Sequence, residues 1–370
     1  MEPVPFLDLF WQNERIQDTI RESFEKVYDR NWFVLGREVD AFEKEFAAYT
    51  EVPFCVGVAS GLDAITLSLK ALGIGSGDEV IVPAHTYLAT WLGVTRAGAI
   101  PVPVDADSNT YNIKESLIAA SITERTRAIL PVHLYGQPCN MTRIDELARQ
   151  YNLQVVEDNA QAHGARWREK KTGSFGAANA TSFYPTKNLG AFGDGGAVTL
   201  FDNEKTDLVR SLRNYGLTDK VHLKIEGMNS RLDEMQAAFL RTKLLYLDEW
   251  NEERRRLANV YLKELNSTGD LTLPLTDKEA EHVYHLFVIQ TKHRDPLRNH
   301  LRNLGIATMI HYPVPPHLQE AFQYLGYRHG QFPEAERLAN EVLSLPLYPG
   351  MTSEQQTRVV EGVRSFFNGL

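Results

Sequence analysis

Between about residues 50 and 201 short apolar runs alternate with helical patterns, the rhythm of a mostly parallel sheet with helices on both faces. The runs fall at 55–58, 79–82, 100–105, 127–132, 153–158, 180–184 and 197–201. Leu62, Ile65, Leu69 and Leu72 recur at i, i+3, i+7 and i+10, which predicts an amphipathic helix starting at Ser60-Gly61. From about Leu232 the pattern becomes a long charge-laced helix, with Leu232, Met235, Phe239, Lys243 and Tyr246 on one face. The run 251–256 reads as its solvated side, Arg254, Arg255 and Arg256 included. Beyond it the pattern predicts strands at 282–290 and 306–311 and helices at 296–303, 334–343 and 353–367, an α+β set. The expected division is a large domain over 1–247 and a smaller C-terminal one over 248–370.

The chain has 370 residues, 43% of them apolar, enough for a large core. Lys and Arg total 39 against 48 Asp and Glu, a formal charge of −9. That sign speaks against nucleic acid or anionic membrane as a partner, so any anion must be held by a local site. No stretch approaches the roughly 18 apolar residues of a membrane span, and residues 1–8 lack a basic n-region. A cytoplasmic protein is the expectation. Cys55 and Cys139 have no metal or disulfide spacing and read as packing thiols.

Candidate chemistry sits where strands end. Lys187 follows a strand in Ser182-Phe183-Tyr184-Pro185-Thr186-Lys187 and precedes a glycine-rich stretch, a setting where burial lowers its pKa toward the neutral amine that forms a Schiff base. Lysines near strand ends are also common. Asp158 ends the apolar run before Asn159 and suits a protonated pyridine nitrogen; as a lone Asp it equally suits a helix cap. Ser60 at a helix start suits a phosphate monoester, or is a plain N-cap. Tyr87, after another strand, can stack on a flat ring or simply be core. His282 and His285, three apart on the strand expected there, point to opposite faces, and no metal site is expected.

Taken together, these pieces carry a resemblance. Ser60-Gly61-Leu62-Asp63-Ala64, Glu157-Asp158-Asn159-Ala160-Gln161-Ala162-His163-Gly164, Ser182-Phe183-Tyr184-Pro185 to Lys187, and Gly227-Met228-Asn229-Ser230-Arg231-Leu232-Asp233-Glu234 are its motifs. The chain resembles the DegT/DnrJ/StrS family of pyridoxal-phosphate-dependent nucleotide-sugar aminotransferases over essentially its whole length. The resemblance implies an α/β, aspartate aminotransferase-like fold: a mixed, mostly parallel seven-stranded sheet in the large domain, a small α+β domain, and a homodimer with shared active sites. It implies Lys187 as the residue that carries pyridoxal phosphate, Asp158 at the pyridine nitrogen, Tyr87 on the ring and Gln161 beside it. Ser60, Gly61, Leu62 through its backbone, and Ser182 would bind the phosphate, with Asn229 reaching it from the neighbouring subunit. His163 is positional.

The motifs around Lys187, with His311-Tyr312-Pro313, are similar to the branch that aminates C-3 of dTDP-linked 3-keto-6-deoxyhexoses using L-glutamate. Tyr184, Lys220, His311 and Tyr312 would then face the sugar or its diphosphate, Lys220 and His311 as cationic or hydrogen-bonding groups. Amination at C-4, a keto-inositol substrate, or a silent regulator on the same scaffold are the alternatives. A related dehydratase branch carries histidine in place of the lysine, which Lys187 argues against.

Overall fold

The seven apolar runs assemble into one mixed sheet in the computed structural model of the chain, which describes residues 2–217 and 222–369. Its strands are β1 (Phe54–Val58), β2 (Glu79–Pro83), β3 (Ile100–Val104), β4 (Thr126–Ile129), β5 (Gln154–Asp158), β6 (Ala178–Ser182) and β7 (Gly196–Leu200). They lie in the order β1-β7-β6-β5-β4-β2-β3, all parallel except β7, which runs antiparallel to both neighbours. Both faces are buried, and the two-residue period of the pleat divides each strand between two cores. Val80 and Val82 join Val56, Val156 and Val198 on one side, and Ile81 joins Ile129 and Val155 on the other.

The same alternation separates Glu157 from Asp158. Asp158 ends β5 at the sheet's carboxyl edge, while Glu157 is wholly buried on the other face. There its carboxylate accepts from the backbone of Gly173 (2.9 Å) and Phe175 (2.6 Å) and from His133 Nε2 (2.8 Å). His133 Nδ1 in turn accepts from Cys139 N–H, which places the proton on Nε2. The carboxylate thus ties two loops to the strand that delivers Asp158.

A second core lies against the site edge. Strands β8 (Phe287–Gln290) and β9 (Val342–Leu345) pair antiparallel, and Leu257, Tyr261, Leu297, Leu301, Val359 and Val363 pack on them from the helices Leu247–Glu264, Arg294–Asn303 and Ser353–Asn368. Val4, from the start of the chain, is buried in the same core and bridged to Ile306.

Several local expectations change here. The long helix is two, Glu234–Leu244 and Leu247–Glu264. The strand expected over 282–290 pairs only from Phe287, because Tyr284 takes a positive φ of 42° and the carbonyls of Tyr284 and His285 accept from Arg254. The segment 306–311 is not a strand: its backbone bridges β9 at Met309 alone, and the carbonyl of His311 turns away to the Tyr135 hydroxyl. The strand comes instead from 342–345, partly read as helix, where the helix Pro333–Glu341 gives way to Val342-Leu343. Arg254 is not solvated; it is 2% exposed, with Nη1 bonded to the carbonyls of Tyr284, His285 and Leu347.

Glu157→Ala strands two backbone N–H groups and a buried imidazole. A loss of about 3–5 kcal/mol of stability is expected. Urea unfolding measures it, and a loss below about 1 kcal/mol contradicts the role assigned to Glu157.

Candidate active site

The carboxyl ends of β1, β2, β5 and β6 and the start of β7 open on one cavity of about 1130 Å³. At the end of β1, Ser60 caps the helix Gly61–Ala71, its Oγ accepting the N–H of Asp63 at 3.1 Å. Capping uses an oxygen lone pair and leaves the hydroxyl hydrogen free, so N-cap and phosphate donor are compatible roles. Gly61 is needed for close approach: a Cβ there would lie 2.5 Å from Cβ of Ser182. Ser60, Gly61, Leu62 and Ser182 accordingly share one corner of the cavity, with first-turn N–H groups available to an anion.

Asn229 lies outside that wall and is exposed. Its neighbour Ser230 accepts from Ala59 N–H (3.0 Å) and donates to Asp63 (2.8 Å), which fastens the 227–231 segment to the same helix start. Lys220 lies outside the described residues.

Tyr87, at the end of β2, is half exposed on the cavity wall, its ring 5.2 Å from that of Tyr312 and tilted 39° to it. Asp158 Oδ2 accepts from Thr90 (2.9 Å), itself bonded to Thr86, and Oδ1 accepts from Ala160 N–H (3.2 Å). Burial raises the Asp158 pKa, opposed by these bonds and by the charge of Lys187. Gln161 also reaches the cavity. Its Oε1 accepts from Tyr135 N–H at 2.6 Å and its Nε2 donates to the Tyr312 hydroxyl at 3.0 Å.

Lys187 occupies the turn between β6 and β7, where its N–H bonds the Tyr184 carbonyl at 2.8 Å. Burial lowers its pKa to about 8, partly opposed by Asp158. About a tenth of it is therefore neutral amine at pH 7, against well under a hundredth for an ordinary lysine. Tyr184, His311 and Tyr312 complete the wall. Burial and the Lys187 charge push His311 down to about 4, so hydrogen bonding, through Nδ1 to Ser344 Oγ at 2.8 Å, is its chemistry and a cationic role is not.

Three residues had no role in the sequence reading: Thr90, which reaches the site through Asp158, and the wall residues His285 and Phe6. Thr90 sits one turn after Tyr87 and was legible in principle as the next residue on that helix face. His285, dismissed as one of a pair on a strand, lies in the bend before β8 and lines the cavity. Phe6 reaches the cavity from the chain start, which no local pattern signals. His282 instead stacks on Tyr284, 3.9 Å between centroids. Cys55 and Cys139 are buried and free, and the described residues contain no group of side chains suited to a metal.

A nucleophilic amine, a buried carboxylate, an aromatic wall and a helix start free to hold phosphate all fit pyridoxal phosphate. On this sheet order they define a pyridoxal-phosphate-dependent aminotransferase of the aspartate aminotransferase type. The chain belongs to the DegT/DnrJ/EryC1/StrS aminotransferase family, whose model matches residues 14–364. It is 48% identical to the dTDP-3-amino-3,4,6-trideoxy-alpha-D-glucose transaminase of Streptomyces venezuelae, over 98% of this chain and 96% of the relative. It is also 48% identical to the dTDP-3-amino-3,6-dideoxy-alpha-D-galactopyranose transaminase of Aneurinibacillus thermoaerophilus, over 98% and 99%. Among solved structures, DesV of S. venezuelae superposes with a TM-score of 0.97 at 48% identity, covering 99% of both chains. The family resemblance and the fold read from the motifs are borne out.

Only the neutral amine of Lys187 attacks an aldehyde. Uptake of pyridoxal phosphate by the cofactor-free protein is therefore expected to slow about tenfold per pH unit below a break near 8 and to level off above it. Stopped-flow absorbance across pH 6 to ~10 checks this, and a break near the ordinary lysine value contradicts it.

Proposed function

We propose that this protein transfers the amino group of L-glutamate to C-3 of a dTDP-linked 3-keto-6-deoxyhexose, giving a dTDP-3-amino-3,6-dideoxyhexose. The observation that carries the reading is Lys187 at the base of a cavity that also holds the buried Asp158 carboxylate. Both relatives described above are named for 3-amino dTDP-sugars, which supports C-3 and the nucleotide.

Bound pyridoxal phosphate supplies an electron sink for the carbon next to nitrogen. Ser60, Ser182 and the first-turn N–H groups hold its phosphate, and Asp158 holds a proton at its ring nitrogen. Thr90 and Ala160 keep the Asp158 carboxylate aimed. Lys187 would carry the cofactor, and once the donor amine had displaced it, its free Nζ would take the proton from the α-carbon of glutamate and pass it to the cofactor side, where the nitrogen stays as water releases 2-oxoglutarate. In the second half-reaction Lys187 delivers a proton to C-3 of the sugar. Tyr87 and Tyr312, in ring contact with each other, form the aromatic wall, while Leu62, Leu88, Leu92 and Leu347 keep the chamber apolar. Tyr184, Lys220, His311 and Tyr312 belong to sugar and diphosphate recognition in this reading.

A homodimer is part of the proposal. Asn229 is exposed yet fastened to the phosphate corner through Ser230, the placement expected of a residue that serves the partner's site. Phe24, Tyr28, Trp32 and Phe33 form an exposed aromatic band on and after the helix Gln17–Arg30, a large apolar face for a surface left in water. The division at residues 247 and 248 is supported by the helix that starts at Leu247 and by the separate second core. No helix among the described residues is long and apolar enough to cross a membrane, and a cytoplasmic setting is part of the same reading.

Incubation with L-glutamate and a dTDP-3-keto-6-deoxyhexose is expected to yield a product whose proton spectrum shows nitrogen at C-3. Lys187→Ala should reduce turnover at least about 10²-fold with unfolding unchanged. Nitrogen at C-4, or a Lys187→Ala protein that still turns over at the wild-type rate, overturns the proposal.

A further inference from the structure

One buried hydrogen-bond chain behind Lys187 has its proton positions settled, because it is anchored on backbone carbonyls, which only accept. The carbonyl of His163 accepts from Asn251 Nδ2 at 2.8 Å, so Asn251 presents its Oδ1 to Asn188 Nδ2, also at 2.8 Å. Asn188 Nδ2 donates as well to the carbonyl of Val283 at 3.2 Å. Its orientation is therefore held twice, and Asn188 Oδ1 is an acceptor. The group facing it at 3.1 Å is Nδ1 of His285, which must carry the proton.

Burial, with the positive charges of Lys187 and Arg254 nearby, depresses the His285 pKa well below its ordinary value. A neutral imidazole with its proton on Nδ1 has a bare lone pair on Nε2. That atom has no hydrogen-bond partner among the described residues, and His285 and Lys187 line the same cavity. The chain enters the lysine's own turn, since Asn188 is its direct neighbour in sequence.

The other titratable groups near Lys187 are differently engaged. Asp158 accepts from Thr90 and Ala160. His163 donates from Nε2 to the Ser182 carbonyl and is not on the cavity wall. His311 bonds Ser344 through Nδ1. Arg254 is bound to three carbonyls behind the wall.

We propose that His285 is a positioning residue for Lys187: its Nε2, turned into an acceptor by the Asn251 and Asn188 amides, receives a hydrogen bond from the lysine amine whenever that amine is free. The inference rests on the reading of Lys187 as the residue that carries the cofactor. It assigns His285 a function the sequence pattern had denied it, and it makes Asn188 and Asn251 the means by which the imidazole tautomer is set. A bond to an uncharged acceptor favours ammonium over amine, since charged donors bond more strongly. His285 thus raises the proton affinity of Lys187 against the burial that lowers it.

The pH at which the cofactor-free protein begins to take up pyridoxal phosphate, followed by its visible band, reads that balance. In His285→Phe the break is expected to move down by about one pH unit, the equivalent of one charge-assisted bond, and His285→Gln is expected to restore it in part. An unmoved break in a His285→Phe protein that still turns yellow overturns the role of His285 and leaves Lys187 standing. A wild-type protein that takes up no cofactor overturns the reading of Lys187 itself. Should the Phe variant not fold, nitrogen-15 spectra of histidine-labelled wild-type protein, with His285 assigned through the Gln variant, decide the point. A bare Nε2 and protonated Nδ1 are expected, and the opposite tautomer contradicts the proposal.

Discussion

The site depends on a lysine and an aspartate placed in one apolar chamber. Transfer from water disfavours the charged form of each, which is why the Lys187 pKa falls to about 8 and that of Asp158 rises. Each partly restores the other's charge. The sheet makes this possible because β5 and β6 are parallel neighbours and β7 returns antiparallel, so an aspartate ending one strand and a lysine in the next turn meet at the same edge. Glu157, one residue before Asp158, anchors the opposite face, and its bonds to the loop after β5 hold the strand that delivers Asp158.

Much of this was legible locally. Ser60, Asp158 and Lys187 each stand where a short apolar run stops, and a strand's end is a local event that sequence reports well. The helix after Ser60 was legible for the same reason, since its apolar period and its cap lie within a dozen residues. The second core was harder to read. The run 342–345 is apolar enough for either helix or strand, and pairing with β8, more than fifty residues earlier in sequence, decided it. Arg254 lies between glutamates and a second arginine, the composition of a solvated face, yet three carbonyls from two distant segments accept from it. His285 was misread because its expected strand begins two residues later, after the bend that turns its imidazole to the cavity.

The wall opposite the sheet has a character of its own. His285 and His311 are both held neutral by burial and by the lysine's charge, so this side offers hydrogen bonds without adding cations. Tyr312 is joined through Gln161 to the backbone of Tyr135, whose hydroxyl contacts His85 and the His311 carbonyl. Segments far apart in the chain are thereby held in register over Lys187.

That Lys187 and Asp158 together run amino transfer is tested most directly by the visible absorption of the purified protein, loaded with pyridoxal phosphate, before and after L-glutamate alone. The expected result is a yellow band that gives way to one at shorter wavelength as the amino group moves onto the cofactor. A protein that stays colourless after loading, or a band that ignores L-glutamate and every other amino donor, contradicts it.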